Sequence, residues 1–130
     1  MIETAGVSLA SNSAINLGAS SAGGNFSLTG NLPTVSQGGA LTVTGTTGIN
    51  SGAGNITLTS ANNLQGAVSL TSTGSTQVSN ASGNALTLGT LNTHALTVGT
   101  SNAALNLGSG TVAGALSASS GGGTISQGGA

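Results

Sequence analysis

The chain has 130 residues, enough for one domain, yet only 1% of them are charged, where a soluble domain carries about 25%. Lys and Arg are absent, Glu3 is the single acid and His94 the single histidine. Nothing can therefore neutralise nucleic-acid phosphates or hold a basic helix on a membrane surface, and no apolar run approaches the ~20 residues of a membrane-spanning helix.

The segment Met1-Ile2-Glu3 lacks the basic and apolar regions of a signal peptide. An export segment, if there is one, is expected elsewhere. The absence of cysteine is compatible with export and leaves disulfides out of the stability. From there on, apolar residues alternate with small polar ones. Val7 and Leu9 flank Ser8, Ile15 and Leu17 flank Asn16, and Phe26 and Leu28 flank Ser27. Leu41 and Val43, Ile56 and Leu58, and Val68 and Leu70 continue the pattern, followed by Leu86 and Leu88, Leu96 and Val98, and Leu105 and Leu107. Period two marks strands with one buried face. No stretch keeps a helical spacing. The spacing predicts an all-β chain with Ile15, Leu17, Leu41, Val43, Ile56, Leu58, Val68, Leu70, Leu86 and Leu88 facing inward.

Turn chemistry separates the strands. Gly18, Gly30, Gly45, Gly99 and Gly108 follow strands closely, and glycine supplies the positive φ that tight turns need. A long repeat then selects the architecture. Thr34-Val35-Ser36-Gln37-Gly38-Gly39-Ala40 recurs as Thr124-Ile125-Ser126-Gln127-Gly128-Gly129-Ala130. At the same 90-residue offset, Ile15-Asn16-Leu17-Gly18 matches Leu105-Asn106-Leu107-Gly108, and Phe26-Ser27 matches Leu116-Ser117. The chain is read as one solenoid segment over residues 1–130, holding one 90-residue unit and part of the next. Repetition at this scale predicts a β-solenoid of parallel stacked strands, with ~18–22 residues per turn and inward Val, Ile and Leu in columns.

The runs Gly39-Ala40-Leu41-Thr42-Val43-Thr44-Gly45, Asn55-Ile56-Thr57-Leu58-Thr59, Asn63-Leu64-Gln65-Gly66-Ala67-Val68-Ser69-Leu70 and Asn84-Ala85-Leu86-Thr87-Leu88-Gly89-Thr90 resemble the repeats of filamentous-haemagglutinin-like proteins, very large exported proteins of Gram-negative bacteria. The resemblance implies a right-handed parallel β-helix shaft. It also implies secretion through an outer-membrane partner and a role in adhesion or biofilm at the cell surface.

Chemistry is sparse. Glu3 and His94 are 91 positions apart, and an acid and a base must both reach one reacting atom. His94 is expected in a turn before the strand of Leu96. A serine nucleophile would have only His94 as base and no Asp to orient it. Calcium-binding repeats need Asp, and Gly121-Gly122-Gly123 lacks the Lys of a phosphate loop. No catalytic, cofactor-binding or metal residue is assigned. The sequons at Asn25, Asn55 and Asn80 are expected by chance in so Asn-, Ser- and Thr-rich a chain.

The expected role is a non-catalytic structural shaft of an extracellular adhesin or filament. An alternative is an ice-binding solenoid using Thr42 and Thr44, Thr57 and Thr59, and Thr71 and Thr73. Like charges stacked every ~4.8 Å would repel, which accounts for their absence. Low charge also favours association. Neither Met1–Gly6 nor Gly121–Ala130 reads as a cap over exposed strand edges. The partners expected are therefore further copies or repeats of the chain, joined head to tail, and a host or neighbouring cell surface.

Overall fold

The computed structural model describes residues 2–130; Met1, the first residue of the uncapped segment above, lies outside them. Every regular element among the described residues is a strand. After β1 (Ile2–Glu3), the first turn comprises β2 (Val7–Ala10), β3 (Ile15–Leu17) and β4 (Ser20–Ala22). The second repeats it with β5 (Phe26–Thr29), β6 (Thr34–Gln37) and β7 (Leu41–Val43). In the third, β8 (Thr47–Asn50) is followed by β9 (Asn55–Leu64), which bends around a corner. β10 (Val68–Asn80) and β11 (Leu86–Gly99) wrap corners in the same way. β12 (Leu105–Asn106) closes the fifth turn, and β13 (Ser109–Val112), β14 (Leu116–Ser119) and β15 (Ile125–Ser126) form the sixth.

All pairings are parallel, between one turn and the next. The result is a three-sided β-solenoid of six turns. Face 1 stacks β2, β5, β8, the start of β10, the middle of β11 and β13. Face 2 stacks β3, β6, the start of β9, the end of β10, the end of β11 and β14. Face 3 runs through β1, β4, β7 and the end of β9, then resumes at the start of β11 and continues through β12 and β15. Partners are mostly 19 to 21 positions apart, as in Val7 with Phe26 and Phe26 with Thr47.

Alternation decides which residues fill the interior. On face 2 the column Ile15, Val35, Ile56, Thr76, Leu96, Leu116 climbs the whole shaft. On face 1 Leu9, Leu28, Ile49, Leu70 and Leu91 stack likewise. Of the ten residues expected inside, nine are buried, and Ile15, in the first turn, is packed against the core at its partly covered edge. Each fully buried Leu or Ile contributes about 1.5–3 kcal/mol relative to an exposed one.

Gly30 and Gly45 show two separate reasons for a strand-ending glycine. Gly30 has φ +149°, and a Cβ there would collide with the Ser11 carbonyl of the turn beneath. Gly45 donates its N–H to the Gly24 carbonyl at 3.1 Å, so close that a Cβ would lie 2.7 Å from the Gly24 carbonyl carbon. Corners are tied by side chains as well. Ser51 Oγ donates to the Gly54 carbonyl at 2.7 Å, Thr100 Oγ1 to Ala103 at 2.7 Å and Ser120 Oγ to Gly123 at 2.5 Å. In all three a hydroxyl spans the corner to the residue three positions on.

Candidate functional site

The two titratable side chains are not brought together. Glu3 is exposed in β1, where its carboxylate accepts the Thr4 N–H at 3.0 Å. His94 is exposed in the fifth turn, where the chain bends from face 1 to face 2. It lies inside β11 and not in a turn ahead of a new strand: β11 holds its ladder with the turn below on both sides of the bend. At least four turns separate the two, roughly 19 Å of shaft. Among the described residues, no group of three or more His, Cys, Asp or Glu could hold a metal ion. No helix among them is long and apolar enough to cross a membrane.

The densest polar construction is internal, at the corner between faces 2 and 3. Asn62 is 0% exposed, although it stands only four residues from the core residue Leu58. Its Oδ1 accepts the Leu41 N–H at 2.9 Å and the Gln37 Nε2 at 2.7 Å. Its Nδ2 donates to Gln37 Oε1 at 3.1 Å and to the Leu58 and Ser79 carbonyls, each at 3.0 Å. Asn80 stacks above it in the next turn. Asn80 Oδ1 accepts the Leu64 N–H at 3.1 Å, and its Nδ2 donates to the carbonyls of Leu64 at 3.2 Å and Ala85 at 2.8 Å. The Asn80 amide thus stands in for a missing peptide group in the ladder of face 3, which is broken between Leu64 and Leu86. These amides satisfy buried backbone groups, so their chemistry is structural.

Two of the chance sequons carry the same logic outside. Asn25 Oδ1 accepts the Thr46 N–H and Asn55 Oδ1 the Ser75 N–H, each at 2.9 Å and each from the turn above. With Asn80 already committed, all three sequon asparagines tie one turn to the next.

The outer faces are the remaining candidates. On face 1 an outward column alternates Thr29, Asn50, Thr71, Asn92, Thr111. Beside it Gly48 leaves a shallow groove of about 220 Å³ between Ser27 and Ser69. Of the Thr-x-Thr pairs, Thr42 is on face 3, Thr57 on face 2 and Thr71 on face 1. The three pairs thus start on three different faces and build no single flat array. A second cavity, of about 180 Å³, opens at the last turn between Leu91, Leu96, Gly110, Val112 and Leu116. The large exposed apolar residues are also at the end turns: Ile2 at 87%, Leu116 at 51% and Ile125 at 48%.

Six stacked turns, columns of aliphatic side chains and polar ties between turns define a parallel β-solenoid repeat protein. The family model for repeats of unknown function, DUF5649, matches residues 4–71 and 93–130, most of the chain, and the chain belongs to that family. No curated protein and no solved structure matches it.

Proposed function

We propose that the chain is a segment of a non-catalytic structural shaft, part of an exported bacterial surface adhesin or a self-assembling extracellular filament. The observation that carries this reading is the use of the polar side chains. Asn, Gln and Ser side chains are spent on tying turn to turn, and the titratable pair is spread along the shaft. The resemblance to filamentous-haemagglutinin-like repeats supports the extracellular setting and a contact with a host or neighbouring cell. Self-association is supported by the near absence of charge, which favours association. Copies stacked head to tail make a contact that does not close and so propagates.

The test is the state of the protein at micromolar concentration, by light scattering and electron microscopy. Rods that lengthen with concentration are expected. A monodisperse, short particle at all concentrations would remove the self-assembling form of the proposal. A thermal-hysteresis assay addresses the ice-binding alternative, and no hysteresis is expected because the Thr pairs are divided among three faces.

A further inference from the structure

The 90-residue sequence repeat and the solenoid turn are out of step. Pairing between neighbouring turns travels with the repeat, with one residue of slippage where Val7 with Phe26 becomes Leu96 with Leu116. Ile15 pairs with Val35, and their counterparts Leu105 and Ile125 pair with each other. Asn16 pairs with Ser36, and Asn106 with Ser126. Ile2 pairs with Ser21, and Asn92 with Thr111. Single hydrogen bonds are carried along too: the Ser20 N–H donates to Ala40 at 3.0 Å and the Gly110 N–H to Ala130 at 2.9 Å. The face, however, changes. Ile15 and Val35 are on face 2, whereas Leu105 and Ile125 are on face 3. Phe26 is on face 1 and Leu116 on face 2. Ser21 is on face 3 and Thr111 on face 1. Each matched piece advances by one face, always in the same sense.

The cause is arithmetic of chain length. With partners 19 to 21 positions apart, four turns fall short of the repeat by about one strand and its corner. Such a shift is tolerated only if the three faces are interchangeable environments. They are: each buries Val and Leu, none carries a stacked charge, and the same hydroxyl tie closes different corners. Ser51 spans the corner between faces 1 and 2, Thr100 and Ser120 the corner between faces 2 and 3.

We infer that the 90-residue unit is a screw element, each copy of which advances four turns along the shaft and one face around it. The rise per unit is about 21 Å, and three units in tandem bring the same surface back to the same face after about 62 Å. A shaft built of such units has no privileged side. A partner that recognises the outer surface of one unit meets it along a spiral, on three sides in turn, and not in a row. The inference rests on the pairing registers and does not depend on the proposed role.

The chain has no cysteine, so introduced thiols can be spin-labelled cleanly. Ser36 and Ser117 follow the face 2 residues Val35 and Leu116, four steps apart in one column. Ser27 is the 90-residue counterpart of Ser117 and is on face 1. The full chain carrying Ser36→Cys with Ser117→Cys is compared with Ser27→Cys with Ser117→Cys by pulsed electron paramagnetic resonance, after circular dichroism has confirmed an unchanged β spectrum. The Ser36/Ser117 pair is expected to be separated along the axis alone, by about 19 Å of backbone. The Ser27/Ser117 pair is expected to be longer, because it adds the passage from face 1 to face 2. Ser36→Cys with Ser126→Cys, a second pair of counterparts, is expected to behave like Ser27/Ser117. Counterpart pairs shorter than the Ser36/Ser117 pair would place the unit in phase with the turn and overturn the inference.

Discussion

Faces 1 and 2 are unbroken ladders through six turns, whereas face 3 is interrupted between Leu64 and Leu86. The turn that crosses the gap keeps the length of its neighbours, with Val68 paired to Leu88 above as Thr47 is to Val68 below, so the departure is local to the corner. After Asn80 the chain leaves the stack in a short loop closed by the Asn84 N–H on the Ala81 carbonyl at 3.1 Å, then returns at Leu86. A solenoid tolerates such a detour at a corner as long as the orphaned backbone groups find partners. Face 3 finds them in a side chain, Asn80, supported from below by Asn62 and Gln37. Continuity of the shaft is thus maintained by aliphatic columns on the faces and by amides where a ladder fails. The two devices are separable by mutation.

The largest effect is expected where an aliphatic column is broken by charge. Leu58→Asp places an unpaired carboxylate in a dry stack and is expected to cost more than about 4 kcal/mol. Urea denaturation would show this as a strongly lowered midpoint, or as a chain unfolded in buffer. A loss below about 1 kcal/mol would mean that the face 2 column is not the closed interior described here.

Next comes the corner. Asn62→Leu keeps the size and removes the amide. It strips partners from the Leu41 N–H, the Gln37 amide and the Leu58 and Ser79 carbonyls, and is expected to cost about 3 kcal/mol. Asn80→Leu is expected to cost about 2 kcal/mol, with a local signature. Amide hydrogen exchange should accelerate at Leu64 and its neighbours on face 3, while the amides of Ile56 and Leu70, on faces 2 and 1, stay protected. Uniform acceleration over all three faces would show that Asn80 supports the whole turn and not the interrupted ladder.

Much of this was legible in the sequence. Alternation at Leu41 and Val43, Ile56 and Leu58, or Val68 and Leu70 was enough to orient their side chains, because period two has one inward parity. The same parity identifies Thr47 from Ile49, Thr76 from Val78 and Thr93 from Leu91 as inward, a signal masked by the habit of reading Thr as an outer residue. The turn length was readable as a range. The boundaries were not, because β9, β10 and β11 continue around corners without a break in the strand, even where Gly74 stands at the corner of β10. The amide corner was illegible for a different reason. What Asn80 does depends on a ladder being absent beside it, and a missing backbone partner leaves no trace in the local sequence.

The smallest predicted effects distinguish inward hydroxyls from corner hydroxyls by their sign. Thr47, Thr76 and Thr93 are buried, and their Oγ1 atoms have no hydrogen-bond partner. Val has nearly the shape of Thr and carries no polar atom. Thr47→Val therefore removes an unsatisfied group without opening a cavity, and is expected to stabilise by about 1 kcal/mol. Thr76→Val should act alike, since it also restores an aliphatic between Ile56 and Leu96 in the face 2 column. Thr100 is buried to a similar degree, but its Oγ1 donates to the Ala103 carbonyl at 2.7 Å across a corner. The same substitution there leaves that carbonyl unpaired and should destabilise by about 1 kcal/mol. Urea midpoints measured at unchanged slope compare the three variants directly. Opposite signs would establish that the interior is indifferent to its hydroxyls while the corners depend on theirs. Destabilisation by all three would mean that Thr47 and Thr76 have partners inside the shaft, ordered water being the first candidate, and that the columns are less dry than their aliphatic content implies.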